Sequence, residues 1–327
     1  MGIENFYKNE SVLVTGASGF IGSHLTKKLL EYGAKTSIFV RKDSNLWRLK
    51  DTINEVNIYN LDFAETKKIE GTVKSIEPTI IFHLASFRNV ERRIDLLDKL
   101  IKTDLIGTID FLKVFVGKKI RAFVSTGTCE EYGDGPAPFN ESQREIPVSP
   151  YSATKTAITY YCQMFHKIFN LPVVVLRPFL TYGPMQSFDM FVPSIIEHCL
   201  KKKDFSMTSG EQTRDINYID DIINAYLCAG MKNNIFGEII NIGSGKEYKI
   251  IDVAKKILNL MGNPINLKIG DIKKRSGEAE HFYCDNSKSM KLLGWKPAVS
   301  LENGLRFTVE WYKEHWKKET MVTSIKK

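Results

Sequence analysis

The chain has 327 residues, enough for one large domain or two modest ones, and its 43% hydrophobic and 26% charged content suits a soluble globular protein. No apolar run approaches the ~18 residues of a membrane span, and the start, Met1 to Lys8, lacks the apolar stretch of a signal peptide. A net charge of +8 draws anions, but it is spread along the chain without interleaved aromatics, which argues against nucleic acid. The five cysteines form no CxxC pair and are odd in number, which argues against a disulfide framework or a metal site and for a reducing, cytoplasmic compartment.

The first half alternates strand and helix. Ser11 to Thr15 is a β-prone run, and Phe20 to Tyr32 carries Ile21, Leu25, Leu29 and Leu30 at helical spacing before Gly33. Strands are expected from Thr36 to Arg41 and from Val56 to Leu61, then a helix from Glu65 to Glu77, stopped by Pro78. Thr79 to Leu84 is almost wholly apolar, as in a strand covered on both faces. A helix over Ile94 to Phe115, a strand at Ala122 to Ser125, a helix over Ser152 to Phe169 and a strand at Val173 to Leu176 follow. This rhythm implies an α/β fold with a Rossmann-type doubly wound parallel sheet over residues 1–176. From 177 to 327 the rhythm breaks at Pro178, Pro184 and Pro193, and helices are expected near 191–202, 219–230, 250–261 and 301–315. That part reads as a smaller C-terminal α/β domain with segments crossing back to the sheet. The last ten or so residues read as a frayed tail.

Between the first strand and first helix stands Thr15-Gly16-Ala17-Ser18-Gly19-Phe20-Ile21-Gly22. Gly16 permits the tight turn, Gly19 lets backbone approach a pyrophosphate, and Gly22 lets helix and strand pack closely. In that place the pattern points to a dinucleotide, with Gly16, Ser18, Gly19, Phe20, Ile21 and Gly22 around its phosphates. An NAD site usually offers a carboxylate at the end of the second strand. Here that end reads Val40-Arg41-Lys42, with Asp43 beyond. Arg41 and Lys42 suit a 2′-phosphate, so NADP(H) is favoured and NAD(H) is the alternative.

Tyr151 and Lys155 lie four residues apart at the start of a helix and share one face. A neighbouring ammonium lowers a phenol's pKa, which suits Tyr151 to exchange a proton with a sugar hydroxyl.

With these motifs, the sequence resembles an extended short-chain dehydrogenase/reductase of the nucleotide-sugar epimerase/dehydratase/reductase family. Further support comes from Asn-Leu-Asp at 60–62, His-Leu-Ala at 83–85, Arg-Pro-Phe-Leu-Thr-Tyr-Gly-Pro at 177–184, Gly-Glu-Gln-Thr-Arg-Asp at 210–215 and Leu-Gly-Trp-Lys-Pro at 293–297. The resemblance implies that Asp62 and Phe63 lie near adenine, Ala85 lies along the coenzyme's phosphate–ribose path, and Lys155 also binds the nicotinamide ribose. Arg214 and Arg275 would grip the diphosphate of a nucleotide sugar, and Phe191 and Pro193 would line the base pocket. Leu180 departs from the family's common Asn, and His281 from a common Arg. His83 reads as a core residue. The resemblance also implies a homodimer built through the helices at 94–115 and 152–169.

The reaction turns on Thr128-Cys129-Glu130-Glu131-Tyr132-Gly133. In similar proteins a Ser or Thr five residues before this glycine hydrogen-bonds the reacting sugar oxygen, which is the place of Thr128. In sugar 4,6-dehydratases an Asp-Glu or Ser-Glu pair follows, and here Cys129 and Glu130 stand there. Glu-Glu-Tyr-Gly also occurs in nucleotide-sugar 4-ketoreductases. Outside the chemistry, Cys129 would be a small buried thiol and Glu131 a solvated carboxylate. The first expectation is an NADPH-dependent 4-reductase acting on an NDP-4-keto-6-deoxyhexose, with Tyr151 as acid, Lys155 as its support and Thr128 orienting the carbonyl. The alternatives are a dehydratase or epimerase with tightly held NAD(P)⁺ using Glu130 and Cys129, and a non-catalytic nucleotide-binding regulator.

Overall fold

A computed structural model of the chain describes residues 2–63, 65–87, 89–274 and 279–323. Its elements run in the order α1 (Ile3–Tyr7), β1 (Ser11–Thr15), α2 (Phe20–Glu31), β2 (Lys35–Val40), β3 (Asn57–Asn60), α3 (Thr66–Ile76), β4 (Ile80–His83), α4 (Leu97–Leu100), α5 (Gly107–Phe115), β5 (Ala122–Thr126), α6 (Pro150–Phe169), β6 (Val173–Pro178) and β7 (Leu180–Tyr182). There follow α7 (Phe191–Lys201), β8 (Phe205–Met207), β9 (Thr213–Arg214), β10 (Ile216–Tyr218), α8 (Ile219–Met231), β11 (Ile239–Ile242), β12 (Tyr248–Lys249), α9 (Ile250–Met261), β13 (Leu267–Ile269), β14 (His281–Phe282), α10 (Ser287–Leu293) and α11 (Leu301–Thr323).

Seven strands form one sheet in the order β11-β6-β5-β4-β1-β2-β3. Every pairing in it is parallel. This is a Rossmann-type doubly wound sheet. Its two-residue periodicity is visible in β1: Val12 and Val14 point into the core shared with α2 and α8, while Leu13 points into the core shared with α3, α5 and α6. The second core is dense in aromatics around Phe111, whose ring meets those of Phe39, Phe63, His83, Phe115 and Phe123. Strand β11 comes from beyond the proline-punctuated stretch, yet it pairs with β6 from Ile239↔Val175 to Ile242↔Pro178.

Two expected helices differ in detail. The segment expected as one helix over 94–115 is a 3-10 turn (Ile94–Leu96), then α4, a π-helical turn (Ile101–Ile106) and α5. The wider turn carries Asp104, buried, with its carboxylate accepting from the Ser86 hydroxyl (2.5 Å) and the Phe87 amide (2.9 Å). Helix α11 continues to Thr323, past the 315 expected. All five cysteines are free and buried. Among the described residues no helix is long and apolar enough to cross a membrane, and no cluster of His, Cys, Asp and Glu has the makings of a metal site.

Two glycines on helices mark opposite situations. A Cβ on Gly22 would stand 2.2 Å from the Gly16 carbonyl oxygen, whereas one on Gly71, exposed on α3, would meet nothing within 4 Å. Gly22→Ala is expected to cost about 1–3 kcal/mol through overpacking. Gly71→Ala is expected to gain roughly 0.5–1 kcal/mol from lost unfolded-state freedom. Urea denaturation of the two variants checks the opposite signs, and a Gly22→Ala protein as stable as the parent would contradict the packing described.

Candidate active site

The C-terminal ends of β1, β4, β5 and β6 open onto one cleft of about 520 Å³, the place where doubly wound sheets receive ligands. One wall is the glycine turn. Gly16 has φ +72°, and a Cβ there would lie 2.6 Å from the Leu84 carbonyl carbon. The turn therefore presses against the exit of β4, as only glycine permits. Helix α2 then starts from Gly19, which offers no side-chain cap, so the first-turn amides are left for an anion. Gly16, Gly19, Phe20, Ile21 and Gly22 all line the cleft. Bare backbone at a helix N-terminus, with no side chain filling the cradle, fits the pyrophosphate of a dinucleotide.

The opposite wall carries Thr126 to Glu130, Tyr151 and Lys155. Helix α6 is set by a capping box: the Ser149 hydroxyl accepts the Ser152 amide at 3.1 Å, the Ser152 hydroxyl accepts the Ser149 amide at 3.0 Å, and Pro150 occupies the first turn. Tyr151 thus enters on the first turn, 7% exposed and packed with Leu96 and Leu100. Lys155 follows one turn later, 4% exposed, and its Nζ donates to the Thr126 carbonyl at 2.6 Å. Burial pulls the Lys155 pKa below the ordinary lysine value, while the charges of Asp104 and Glu131 favour the ammonium. The Thr126 hydroxyl accepts from Tyr226 of α8 at 2.9 Å, closing the floor.

Thr128 caps a 3-10 turn over Cys129–Tyr132. Its Oγ1 accepts the Glu130 amide at 3.2 Å, and its hydroxyl lies within hydrogen-bonding reach of the Cys129 thiol. Cys129 is buried, and its pKa is pushed well above the ordinary thiol value by burial first and then by the charges of Glu130 and Asp215. It remains a protonated thiol across the neutral range. Glu130 lines the cleft and is half-buried.

Glu131 corrects an expectation. Read from sequence as a solvated carboxylate, it is fully buried, and its Oε2 accepts from Arg177 Nε at 3.0 Å and Nη2 at 2.6 Å. Arg177, equally buried, also reaches Glu145 at 2.6 Å. The Glu-Glu-Tyr-Gly string therefore holds one residue facing the cleft and one packed behind it.

Not all expected site residues meet here. The Ser18 carbonyl accepts from Arg48 at 3.2 Å at the edge of the glycine turn. Arg41 and Lys42 are exposed at the end of β2, and Arg41 pairs with Asp43 at 3.6 Å. Asp62 is exposed, and Phe63 packs edge-on to His83 and Phe111. The Ala85 amide donates to the Thr15 hydroxyl at 3.2 Å. Arg214 sends Nη1 to the carbonyls of Thr213 (2.7 Å) and Ala279 (3.0 Å). Phe191 and Pro193 open α7, and the cleft wall runs only to Met190 before them. Arg275 lies outside the described residues. Sequence reading passed over Arg48, Gln186 and Asp189, which line the cleft from loops that carry no periodic signal. His83 is a core residue, as expected, with its ring bridging the hydroxyls of Thr15 (2.8 Å) and Thr108 (3.0 Å).

Residues 12–243 match the model of the NAD dependent epimerase/dehydratase family. The chain is 30% identical to the dTDP-glucose 4,6-dehydratase of Haemophilus influenzae, over 92% of this chain and 97% of the relative. It is 28% identical to the UDP-glucuronate 4-epimerase of Thermodesulfobacterium geofontis, over 93% and 96%. Among solved structures, the UDP-glucuronic acid 4-epimerase of Bacillus cereus, in complex with UDP-glucuronic acid and NAD, superposes with a TM-score of 0.84 at 29% identity, covering 93% of this chain and 99% of that one.

The histidines beside the cleft predict a pH dependence of stability. Burial holds His83 down to about 3 and His24, whose Nε2–H donates to the Pro184 carbonyl at 3.0 Å, down to about 4. In the unfolded chain both protonate near the ordinary 6.5. The unfolded state then binds more protons than the native one, so stability falls as pH drops from 6.5 toward about 4. His24→Gln, which keeps a donor for Pro184, is expected to flatten that fall, as measured by urea midpoints across the range. An unchanged slope would refute the assignment of a neutral, buried His24.

Proposed function

The chain belongs to the NAD dependent epimerase/dehydratase family and is an enzyme acting on a nucleotide sugar, and we propose that it works at C4 of the sugar, with 4,6-dehydration as its overall reaction. The observation that carries this reading is the meeting of Thr128, Tyr151, Lys155 and the Glu130 carboxylate in one cleft, opposite the glycine turn. Bound along that turn, the coenzyme supplies the acceptor and donor of the hydride. Tyr151 takes the proton of the C4 hydroxyl, helped by the Lys155 ammonium one helical turn away. Thr128 donates its hydroxyl proton to the same oxygen and holds it as the carbonyl forms. A carbonyl at C4 acidifies C5–H. Cys129 keeps its proton, so abstraction at C5 falls to Glu130. The C6–O bond then breaks as the C5–C6 double bond forms, and the proton on Glu130 leaves with the hydroxyl as water. The hydride taken from C4 is returned at C6, and a solvent proton restores C5–H, so that one water is lost in all.

NAD(H) is the coenzyme we assign. Arg41, expected to meet a 2′-phosphate, is engaged by Asp43, and the solved relatives described as coenzyme complexes hold NAD. We assign the diphosphate to Arg214 and Arg275 and the base to the surroundings of Phe191 and Pro193. The second reading is the 4-ketoreductase, favoured by Cys129, which is a weaker acid than the carboxyl of the dehydratase pair. Its other support is weaker: Glu131, part of the Glu-Glu-Tyr-Gly string, is committed to Arg177.

Mass spectrometry of the product separates the readings. Dehydration yields a sugar lighter by one water, 4-epimerisation an isomer of equal mass, and reduction a sugar heavier by two hydrogens with net coenzyme consumption. Glu130→Gln is expected to abolish water loss and solvent-deuterium incorporation at C5. Tyr151→Phe should lower turnover of any of the three by about 10²-fold or more. A Glu130→Gln protein that still eliminates water would overturn the dehydratase reading, and retained turnover in Tyr151→Phe would overturn the site.

We also propose that a second copy of the chain covers α4, the π-turn and α6. These pack on one another and expose Ile101, Ile106, Tyr161 and Ile168 at 40–60% of their surface. Analytical ultracentrifugation should find a dimer for the parent and a monomer for Ile101→Lys/Tyr161→Lys. A monomeric parent would reject the interface.

A further inference from the structure

The buried carboxylate behind the catalytic loop has a geometry that exceeds the needs of packing. Glu131 Oε1 accepts the backbone amide of Thr128 itself, at 2.8 Å. Its Oε2 accepts three donors: Arg177 Nε and Nη2 from β6, and the Thr159 hydroxyl from α6 at 2.8 Å. Thr159 stands one helical turn beyond Lys155, on the same helix. Arg177 Nη2 continues to Glu145 Oε1, whose other oxygen accepts from Tyr160 of α6 at 2.7 Å. The guanidinium also lies 4.7 Å from the centre of the Tyr132 ring. Room for the carboxylate depends on Gly127, because a Cβ there would fall 2.6 Å from Glu131 Oε1.

We propose that Glu131, held by its buried ion pair with Arg177, is the positioning residue that locks Thr128 against the helix bearing Tyr151 and Lys155. The reacting hydroxyl of Thr128 and the phenol of Tyr151 come from two different segments, a loop after β5 and the first turn of α6. Their mutual placement must be fixed by something that touches both segments. Glu131 bonds the Thr128 amide with one oxygen and the α6 side chain with the other, and a bidentate arginine on the central sheet fixes its own orientation. Glu131 never reaches the substrate. Its charge also favours the ammonium of Lys155 in a site where burial opposes it. Glu145, on the far side of Arg177, touches neither Thr128 nor Lys155 in this network.

The inference rests on the reading of Thr128, Tyr151 and Lys155 as the reacting set, and its test has an arm independent of that reading. Glu131→Gln and Glu145→Gln are compared in the full-length protein. By hydrogen exchange with mass spectrometry, the peptide containing the Thr128 amide should exchange faster in Glu131→Gln and as in the parent in Glu145→Gln. With the nucleotide sugar that the parent turns over, kcat should fall about 10²-fold in Glu131→Gln, the scale of a small misplacement of a reacting group, with KM unchanged. Glu145→Gln should lower the melting temperature while leaving kcat unchanged. If Glu131→Gln does not fold, Thr159→Val, which cuts the tie to α6 and keeps both the ion pair and the Thr128 amide bond, takes its place, read by the fall in kcat at unchanged KM, and an unchanged kcat there overturns the positioning role. Unaltered exchange at Thr128, or equal loss of kcat in the Glu131 and Glu145 variants, would overturn the positioning role. A changed exchange rate with no turnover by the parent would fault the proposed reaction and not the lock.

Discussion

A carboxylate and a guanidinium, both removed from solvent, sit where the Thr128 loop, helix α6 and the central sheet meet. Burying either alone would cost several kcal/mol, and taking one partner from such a pair typically costs about 3–5 kcal/mol. The arrangement persists because Glu131 receives four donors and Arg177 reaches a second carboxylate, Glu145. Such a site tolerates little drift, since each displaced hydrogen bond leaves a charged group unsatisfied in low dielectric. Rigidity here is inherited by Thr128, whose amide is one of the four donors.

The cleft in front of that pair is assembled from the ends of strands far apart in sequence. β1 delivers the glycine turn, β4 the Leu84–Ser86 exit, β5 the Thr128 loop and β6 the Pro178–Thr181 wall. Buried polar side chains tie these exits together. His83 bridges Thr15 on β1 and Thr108 on α5, and Asp104 on the π-turn clasps Ser86 and Phe87. The loop over 183–190 is fastened from three directions. His24 of α2 holds Pro184, Arg48 holds the Met185 carbonyl at 2.9 Å, and Tyr312 of α11 donates to the Gln186 carbonyl. That wall of the cleft is thus anchored on the glycine-turn side and on the C-terminal helix at once.

Family membership and site geometry bear on different questions. The match over residues 12–243 establishes the chemistry class, and the relatives include both dehydratases and epimerases. In the reading proposed above, the choice among them turns on single side chains, Cys129 and Glu130, and on which carboxylate lines the cleft. Of two adjacent glutamates, 130 lines the cleft and 131 is turned away into an ion pair, a division of labour set by the 3-10 turn that Thr128 caps.

Local patterns carried the features that depend on neighbours in sequence. The apolar runs of β1, β4 and β6, the Gly16/Gly19/Gly22 turn and the Tyr151–Lys155 spacing were legible because strand period, backbone freedom and helix pitch act within a few residues. A segment crossing back to the sheet was expected, but the sheet order, the break of the 94–115 helix at Asp104 and the choice of β11 with β6 as its partner were not, because each answers to a partner more than a dozen residues away. Burial of Glu131 was the clearest case: a glutamate in a polar string reads as solvated until Arg177, 46 residues on, arrives beside it. The sequence alone determined a glycine turn after the first strand and a tyrosine–lysine pair one turn apart at the start of a helix. Only the tertiary structure decided which charges are buried and which line the cleft, since burial of a charge depends on a counter-charge brought in by the fold.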